Sequence, residues 1–344
     1  MIFLKKIFST FFIAVSAGSL LCGCSPVLET VPSVSYPDVP VAVQSSEQSD
    51  NALIDVQENT FIYDNIGTLT AAEFDECNKY AEMLYKQYLL NTAVVITNDL
   101  KGLTADQYAA EVYRLLYGEG GSGMVFVINN ETNTDAVYKM GCCQRFIDDV
   151  SERDELYNAT TKLVVGKYKD AALMMLKLCE KCPENLVDNS NVFAEKVAEK
   201  LSDALGEIPL NSVAVVAMDN NTGRTNDELA GEYHERRFAE FNKADTYVII
   251  LDKRTGTVTA NRRLEDMRPE LADAITEASS FASTADYFAA VNSIILGFGG
   301  EPVDLNAPDE EETDDTEDEE TEDNETENDS ETDYETEEDY QEEE

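Results

Sequence analysis

Oxygen-bearing side chains gather at a few places in this 344-residue chain where a folded α/β sheet would set them side by side. Asn98 and Asp99 follow one apolar run, Asn129, Asn130 and Glu131 follow a second, Asp135 comes shortly after, and Asp64 stands upstream of both. In open α/β sheets, ligands favour the crevice beyond the carboxyl ends of the parallel strands. Asp64, Asp99, Asn129, Glu131 and Asp135 are therefore the candidate metal ligands, and hard oxygens of this kind suit Ca²⁺ or Mg²⁺ and not a soft metal. A cation held there could polarise a phosphoryl oxygen and activate water. Taken singly, the same residues read as polar turns, because Asn and Asp are favoured there for backbone reasons.

Other segments carry weaker signals. The loop Gly118-Glu-Gly-Gly-Ser-Gly123 lacks the Lys-Ser/Thr of a P-loop and precedes a strand. It reads as a helix-to-strand turn or as a place where backbone comes close to a bound anion or metal. Asp219-Asn-Asn-Thr-Gly223 has its Gly one position too early for a calcium loop and no Glu at the twelfth position, which favours a turn. The single His, His234, has no second His to complete a metal motif, and is expected on a helix surface. Five cysteines (Cys77, Cys142, Cys143, Cys179 and Cys182) fall between residues 77 and 182. In an extracytoplasmic protein, thiols this clustered are expected to form at least one disulfide, with one left over. Cys179 and Cys182 have CxxC spacing but lie at a helix C-terminus, where the dipole disfavours the reactive thiolate. No covalent-nucleophile motif is present, and no catalytic residue is assigned.

The elements that must position these residues occur twice. The run Asn91–Asn98 and the run Asn211–Asp219 share an Ala-Val-Val core at an offset of 121 residues, and both have the character of buried strands. The capping-box patterns Thr104-Ala-Asp-Gln107 and Thr225-Asn-Asp-Glu228 follow at the same offset. Val125–Ile128 and Val248–Leu251 form second strands, each followed by a polar turn and a third short strand, near 135–140 and 257–260. A helix precedes each first strand: one opens at Thr70-Ala-Ala-Glu73 with the stripe Phe74, Cys77, Ala81, Leu84 and Tyr88, the other carries Phe193, Val197, Leu201 and Leu205. The helix behind Thr104 presents Tyr108, Val112, Leu115 and Leu116 on one face. Ala-rich helices, Tyr168–Cys179 and Tyr287–Leu296, close the copies. Two tandem α/β domains are thus expected, 58–182 and 186–300, each running α-β-α-β-β-α-α, with parallel crossover strands and an antiparallel hairpin strand.

The ends differ from this body. Met1 to Leu21 has the charged start and apolar run of a signal peptide. Leu21-Cys22-Gly23-Cys24 resembles the bacterial lipobox, which implies removal of residues 1–23 and lipidation of Cys24. Residues 24–57 have the composition of a disordered tether, and 301–344 that of an acidic disordered tail. The chain carries 70 acidic and 25 basic residues, a formal charge of -45, with 24 of the acids in residues 309–344. Such a balance cannot neutralise phosphates, so nucleic acid is excluded as a partner class.

The body resembles the TPM-domain family, which includes a plant thylakoid-lumen phosphatase and many bacterial envelope proteins. The matching residues are Tyr63-Asp64-Asn65 with Leu69 and Thr70, Thr92–Ile96, Gly118–Gly123 into Met124–Ile128, Lys139-Met-Gly141 and Gly166–Ala171. The second copy keeps Asp188-Asn189 and Asp219 but has Phe241–Asp245 in place of the glycine loop. Where the family usually has Asn-Gly before the second strand, this chain has Ser122-Gly123. The resemblance implies Rossmann-like α/β domains, divalent-cation binding in some members and acid phosphatase activity in a few. The expected protein is a lipoprotein tethered to the extracytoplasmic face of the cell membrane. Its TPM domains would act as a non-catalytic binding or assembly module with an envelope protein as partner, the alternative being a cation-dependent phosphatase working through the first copy.

Overall fold

The computed structural model describes residues 52–306, apart from 133, 209–211 and 240–244. The signal segment, Cys24, most of the tether and most of the acidic tail lie outside the described residues.

Two four-stranded sheets follow one another along the chain. In the first, β1 (Ile62–Asp64), β2 (Asn91–Thr97) and β3 (Gly123–Asn129) are parallel and β4 (Ala136–Met140) is antiparallel, in that spatial order. The second repeats the pattern with β5 (Leu186–Asp188), β6 (Val213–Met218), β7 (Tyr247–Asp252) and β8 (Thr257–Ala260). Nine helices accompany them among the described residues: α1 (Ala71–Gln87), α2 (Ala105–Tyr117), α3 (Cys142–Phe146), α4 (Asp149–Val164), α5 (Tyr168–Lys177), α6 (Glu195–Gly206), α7 (Asn226–Phe238), α8 (Pro269–Ser283) and α9 (Tyr287–Gly297). The order of each copy therefore begins with a strand, β1 or β5, that the sequence pattern does not display. Three residues are too few to show a period of two.

The central strands β2, β3, β6 and β7 are apolar along most of their length because both faces are covered. In the first sheet, Ile62, Val94, Ile96, Phe126 and Ile128 face α1, whose Cys77, Ala81 and Leu84 are buried at helical spacing. Tyr63, Ala93, Val95, Val125 and Val127 face the other way, toward Tyr108, Ala109, Val112 and Tyr113 of α2. Strand order advances in one direction from β1 to β3, yet α1 and α2 lie on opposite faces. The two crossovers consequently have opposite hands, and one departs from the usual right-handed rule. Leu115, expected on the buried face of α2, is half exposed, and Ala105, Ala109 and Tyr113 are buried instead.

All three threonine caps form. The hydroxyls of Thr70, Thr104 and Thr225 accept from the N–H of Glu73, Gln107 and Glu228, whose side chains accept in return from the cap N–H groups. The body also extends past the expected boundaries. Ile54, assigned above to the tether, is buried, and the Tyr108 hydroxyl donates to the Leu53 carbonyl at 2.5 Å. At the other end, Val303 and Asn292 exchange two hydrogen bonds, so the tail's first residues pack on α9. Composition reports polarity and misses such single apolar anchors.

Candidate functional site

The five proposed metal ligands lie at the carboxyl edge of the first sheet, but they do not converge. Asp64 ends β1, opposite Ile96, which is itself opposite Ile128; Asp135 comes just before β4. Three strand spacings, about 14 Å of backbone, separate the two acids. One ion with oxygen ligands at about 2.3–2.6 Å cannot serve both. Asn129, Glu131 and Asp135 do share the β3–β4 turn, whereas Asp99 follows β2 and is exposed.

Four of these residues already take part in turn hydrogen bonds. The Asp64 carboxylate accepts from the Leu69 N–H at 2.7 Å and from the Ile66 N–H and Thr68 hydroxyl at 3.3 Å, so it holds the loop that leads into α1. Asp188 repeats this role after β5, accepting from the Val192 N–H at 2.9 Å and the Phe193 N–H at 3.0 Å. Asp99 accepts from the side chain and backbone of Lys101, which lowers its pKa. Asn129 accepts from the Glu131 N–H and donates to Thr132 and Thr134. Asp135 accepts from the Asn129 N–H at 3.1 Å and the Thr160 hydroxyl at 3.5 Å, while burial pushes its carboxyl pKa up. Glu131 is exposed in the turn. Among the described residues, no three His, Cys, Asp or Glu side chains are placed to hold a metal ion. The five residues therefore do not come together as one ligand set.

A cavity lies elsewhere, between the copies. It measures about 920 Å³ and is bounded on one side by the amino edge of the first sheet, where Asn91 opens β2 and Gly118–Gly121 lead into β3. On the other side stand Asn189 after β5, Asp219 after β6, and Tyr233 and Arg236 of α7. Asn189 and Asp219 mark the carboxyl edge of the second sheet, the edge that ligands of α/β proteins favour, while Tyr233 and Arg236 stand along α7. The glycine loop forms part of the wall, and the Tyr113 hydroxyl donates to the Gly120 carbonyl at 3.3 Å. The loop at Asp219 is braced by Asn220, which donates to the Arg224 carbonyl and to Asn226.

Arginines hold the seam together. Arg236 donates to the Tyr85 carbonyl at 2.5 Å and to Asn91 at 3.2 Å, with its guanidinium carbon 3.4 Å from the centre of the Tyr85 ring. Arg237 donates to the carbonyls of Gln87 and Glu184 and, at 2.7 Å, to Asn185. Tyr85 and Gln87 lie in the last turn of α1, where carbonyls lack helical partners and a cation is favoured. Burial lowers the pKa of both guanidinium groups, that of Arg237 to about 10. From the first copy, Arg145 of α3 reaches Asp188 at 2.8 Å and the Phe193 carbonyl at 2.5 Å, and Ser122 donates to Asn189 at 2.5 Å. Neither arginine of α7 was singled out in the sequence. The available signal was two adjacent cations in the last turn of a helix belonging to an acidic chain.

The remaining expectations are corrected in part. His234 is buried, within 2.9 Å of the Thr246 hydroxyl, and not on the surface. All five cysteines are buried free thiols and none is in a disulfide. Cys143 and Cys182 come to 3.6 Å, and the hydrogen bond between them heads the causes that keep the Cys182 thiol protonated. Helix packing has placed them in the core as small hydrophobes.

No curated protein matches the chain. A solution NMR structure of the N-terminal domain of a P. gingivalis protein is similar over 36% of this chain and 82% of that one, at 12% identity and a TM-score of 0.33. Residues 62–182 match the family model described as TPM domain. The chain therefore carries a TPM domain at residues 62–182.

Proposed function

We propose that the protein is a lipid-anchored binding module of the cell envelope, in which the TPM domain and a second copy of the same layout hold a ligand or protein partner between them. The observation that carries this reading is the placement of unused binding capacity. At the carboxyl edge of the first sheet the polar groups are spent on turns, whereas the crevice between the copies is lined by a glycine loop and by a guanidinium with an unmet donor. Anchoring rests on the lipobox resemblance ending at Cys24. No helix of the described residues is long and apolar enough to cross a membrane. Cys24→Ser is expected to release the protein from the membrane fraction. Recovery of wild-type protein with an unmodified N-terminus by intact-mass analysis would remove the anchor from the account.

A second reading, phosphomonoester hydrolysis at the first sheet, is favoured by one observation: Asn129, Glu131 and Asp135 share a turn in the domain that matches the family. The two readings part on p-nitrophenyl phosphate turnover by the full chain, with and without Ca²⁺ or Mg²⁺. The binding-module account expects no cation-dependent turnover. It also expects Asp64→Ala to lower stability by about 1–3 kcal/mol, since three donors lose their acceptor. Turnover that appears with cation and disappears in folded Asp135→Asn would establish the hydrolase instead.

A further inference from the structure

Among the described residues, Arg236 Nη2 is the buried side-chain nitrogen left without a hydrogen-bond partner. Native proteins rarely leave such a donor unmet, and a charged one is costly. Its sister nitrogens are fixed on Tyr85 and Asn91 and the ring of Tyr85 stacks beneath, so the guanidinium is held at the crevice wall with one buried nitrogen unpartnered. A guanidinium presents a planar fork that matches a carboxylate. The other charges of the crevice narrow the choice of ligand. Arg224 and Glu232 pair at 2.5 Å and cancel. What remains is the cation of Arg236 at the wall and the exposed carboxylates of Glu119 and Asp219 at the rim. A doubly charged phosphate would face more negative than positive charge there. A molecule with one anionic and one cationic end would match both. The volume, about 920 Å³, is in the range of small-molecule and short-peptide sites.

We propose that this crevice binds a zwitterion, an amino acid or short peptide with free termini, whose α-carboxylate docks on Arg236 and whose ammonium group lies against Asp219 and Glu119. The proposal rests on the reading of the crevice as the binding site. Arg236 lines the crevice, and the glycine-loop backbone borders the same space. Nothing in the proposal requires chemistry on the ligand.

The full chain is titrated with a pool of random tripeptides bearing free termini, and binding is followed by native mass spectrometry and thermal shift. The same pool with amidated C-termini, the pool with acetylated N-termini, and inorganic phosphate are run alongside. The free pool is expected to bind. Amidation should weaken binding about tenfold or more, the worth of a charge-assisted hydrogen bond. Acetylation should weaken it several-fold. Arg236→Lys, which keeps the cation and removes the fork, should lose about tenfold or more. Asp219 is exposed, so Asp219→Asn leaves the fold intact; it should weaken the free pool and leave the acetylated pool unchanged. Should Arg236→Lys fail to fold, the amidated pool and Asp219→Asn decide the matter. Equal binding of free and amidated pools overturns the proposal, as does phosphate binding without peptide binding or the absence of any binding. A protein partner retained by the full chain in any of those cases would leave the binding-module reading standing while removing this ligand.

Discussion

Asn129 and Asp252 occupy the same place, at the end of the third parallel strand of each copy, and show how one position can change charge without changing task. Both organise the turn that follows. Asp252 is buried and accepts from Thr255 at 2.7 Å, the Arg254 N–H at 3.0 Å, the Asn220 N–H at 3.2 Å and Asn226 at 3.3 Å. Burial alone would raise its carboxyl pKa; the four donors outweigh it and hold the pKa below the ordinary 3.8. A carboxyl depressed in the folded state contributes stability that is present above the unfolded pKa and lost as pH falls through the folded one. Urea unfolding followed from pH 6 down to pH 3 should therefore show a stability loss on the acid side that is shallower in Asp252→Asn. An identical acid limb in the variant would mean that the carboxylate gains nothing from its donors. Asp64 and Asp188 teach a related lesson. Their types and positions were legible in the sequence, but their role was not, because a carboxylate aimed at backbone N–H groups two to five residues on looks the same in sequence as one aimed at a metal.

At the scale of elements, the sequence was most legible where a local rule is complete. Capping boxes need four residues and all three formed; buried parallel strands need a continuous apolar run, and β2, β3, β6 and β7 were found within a residue or two of their ends. Threonine caps contribute about 1 kcal/mol each. Thr225→Ala should thus lower stability in thermal unfolding by about that amount and also loosen α7, the helix that carries Arg236 and Arg237. Loss of the cap without any loss of stability would show that the seam alone fixes α7. The strands β1 and β5 were missed because pairing with β2 and β6, a tertiary event, is what makes three residues a strand. The opposite hands of the first two crossovers were equally invisible, since periodicity gives the width of an apolar face and not the side of the sheet on which it lands.

At the scale of the whole molecule, two copies of one layout have become a single body. The last turn of α1 is capped by arginines of α7, and the Asp188 loop is capped by Arg145 of α3. The seam was the part of the site least available from sequence, because offsets of 118–123 residues report that a pattern repeats and are silent about how the repeats meet. Arg237 supplies one hydrogen bond across it, to the Gln87 carbonyl, and two more to Glu184 and Asn185 in the segment that leads into β5, and lies 3.6 Å from the Glu184 carboxylate. Arg237→Ala should cost about 1–3 kcal/mol, because buried acceptors lose their donor. It should also split one cooperative calorimetric transition into two. A single unchanged transition would show that the copies are held by other contacts.

Binding is proposed at the seam and not at the carboxyl edge of the first sheet. Hydrogen exchange on the full chain, with and without the free-terminus tripeptide pool and with and without Ca²⁺, tests this most directly. The account predicts added protection with peptide in residues 118–121 and in the second half of α7, and no change with Ca²⁺ in residues 64–69 or 129–135. Protection of residues 64–69 and 129–135 on adding Ca²⁺, with residues 118–121 and α7 unmoved by peptide, would contradict it.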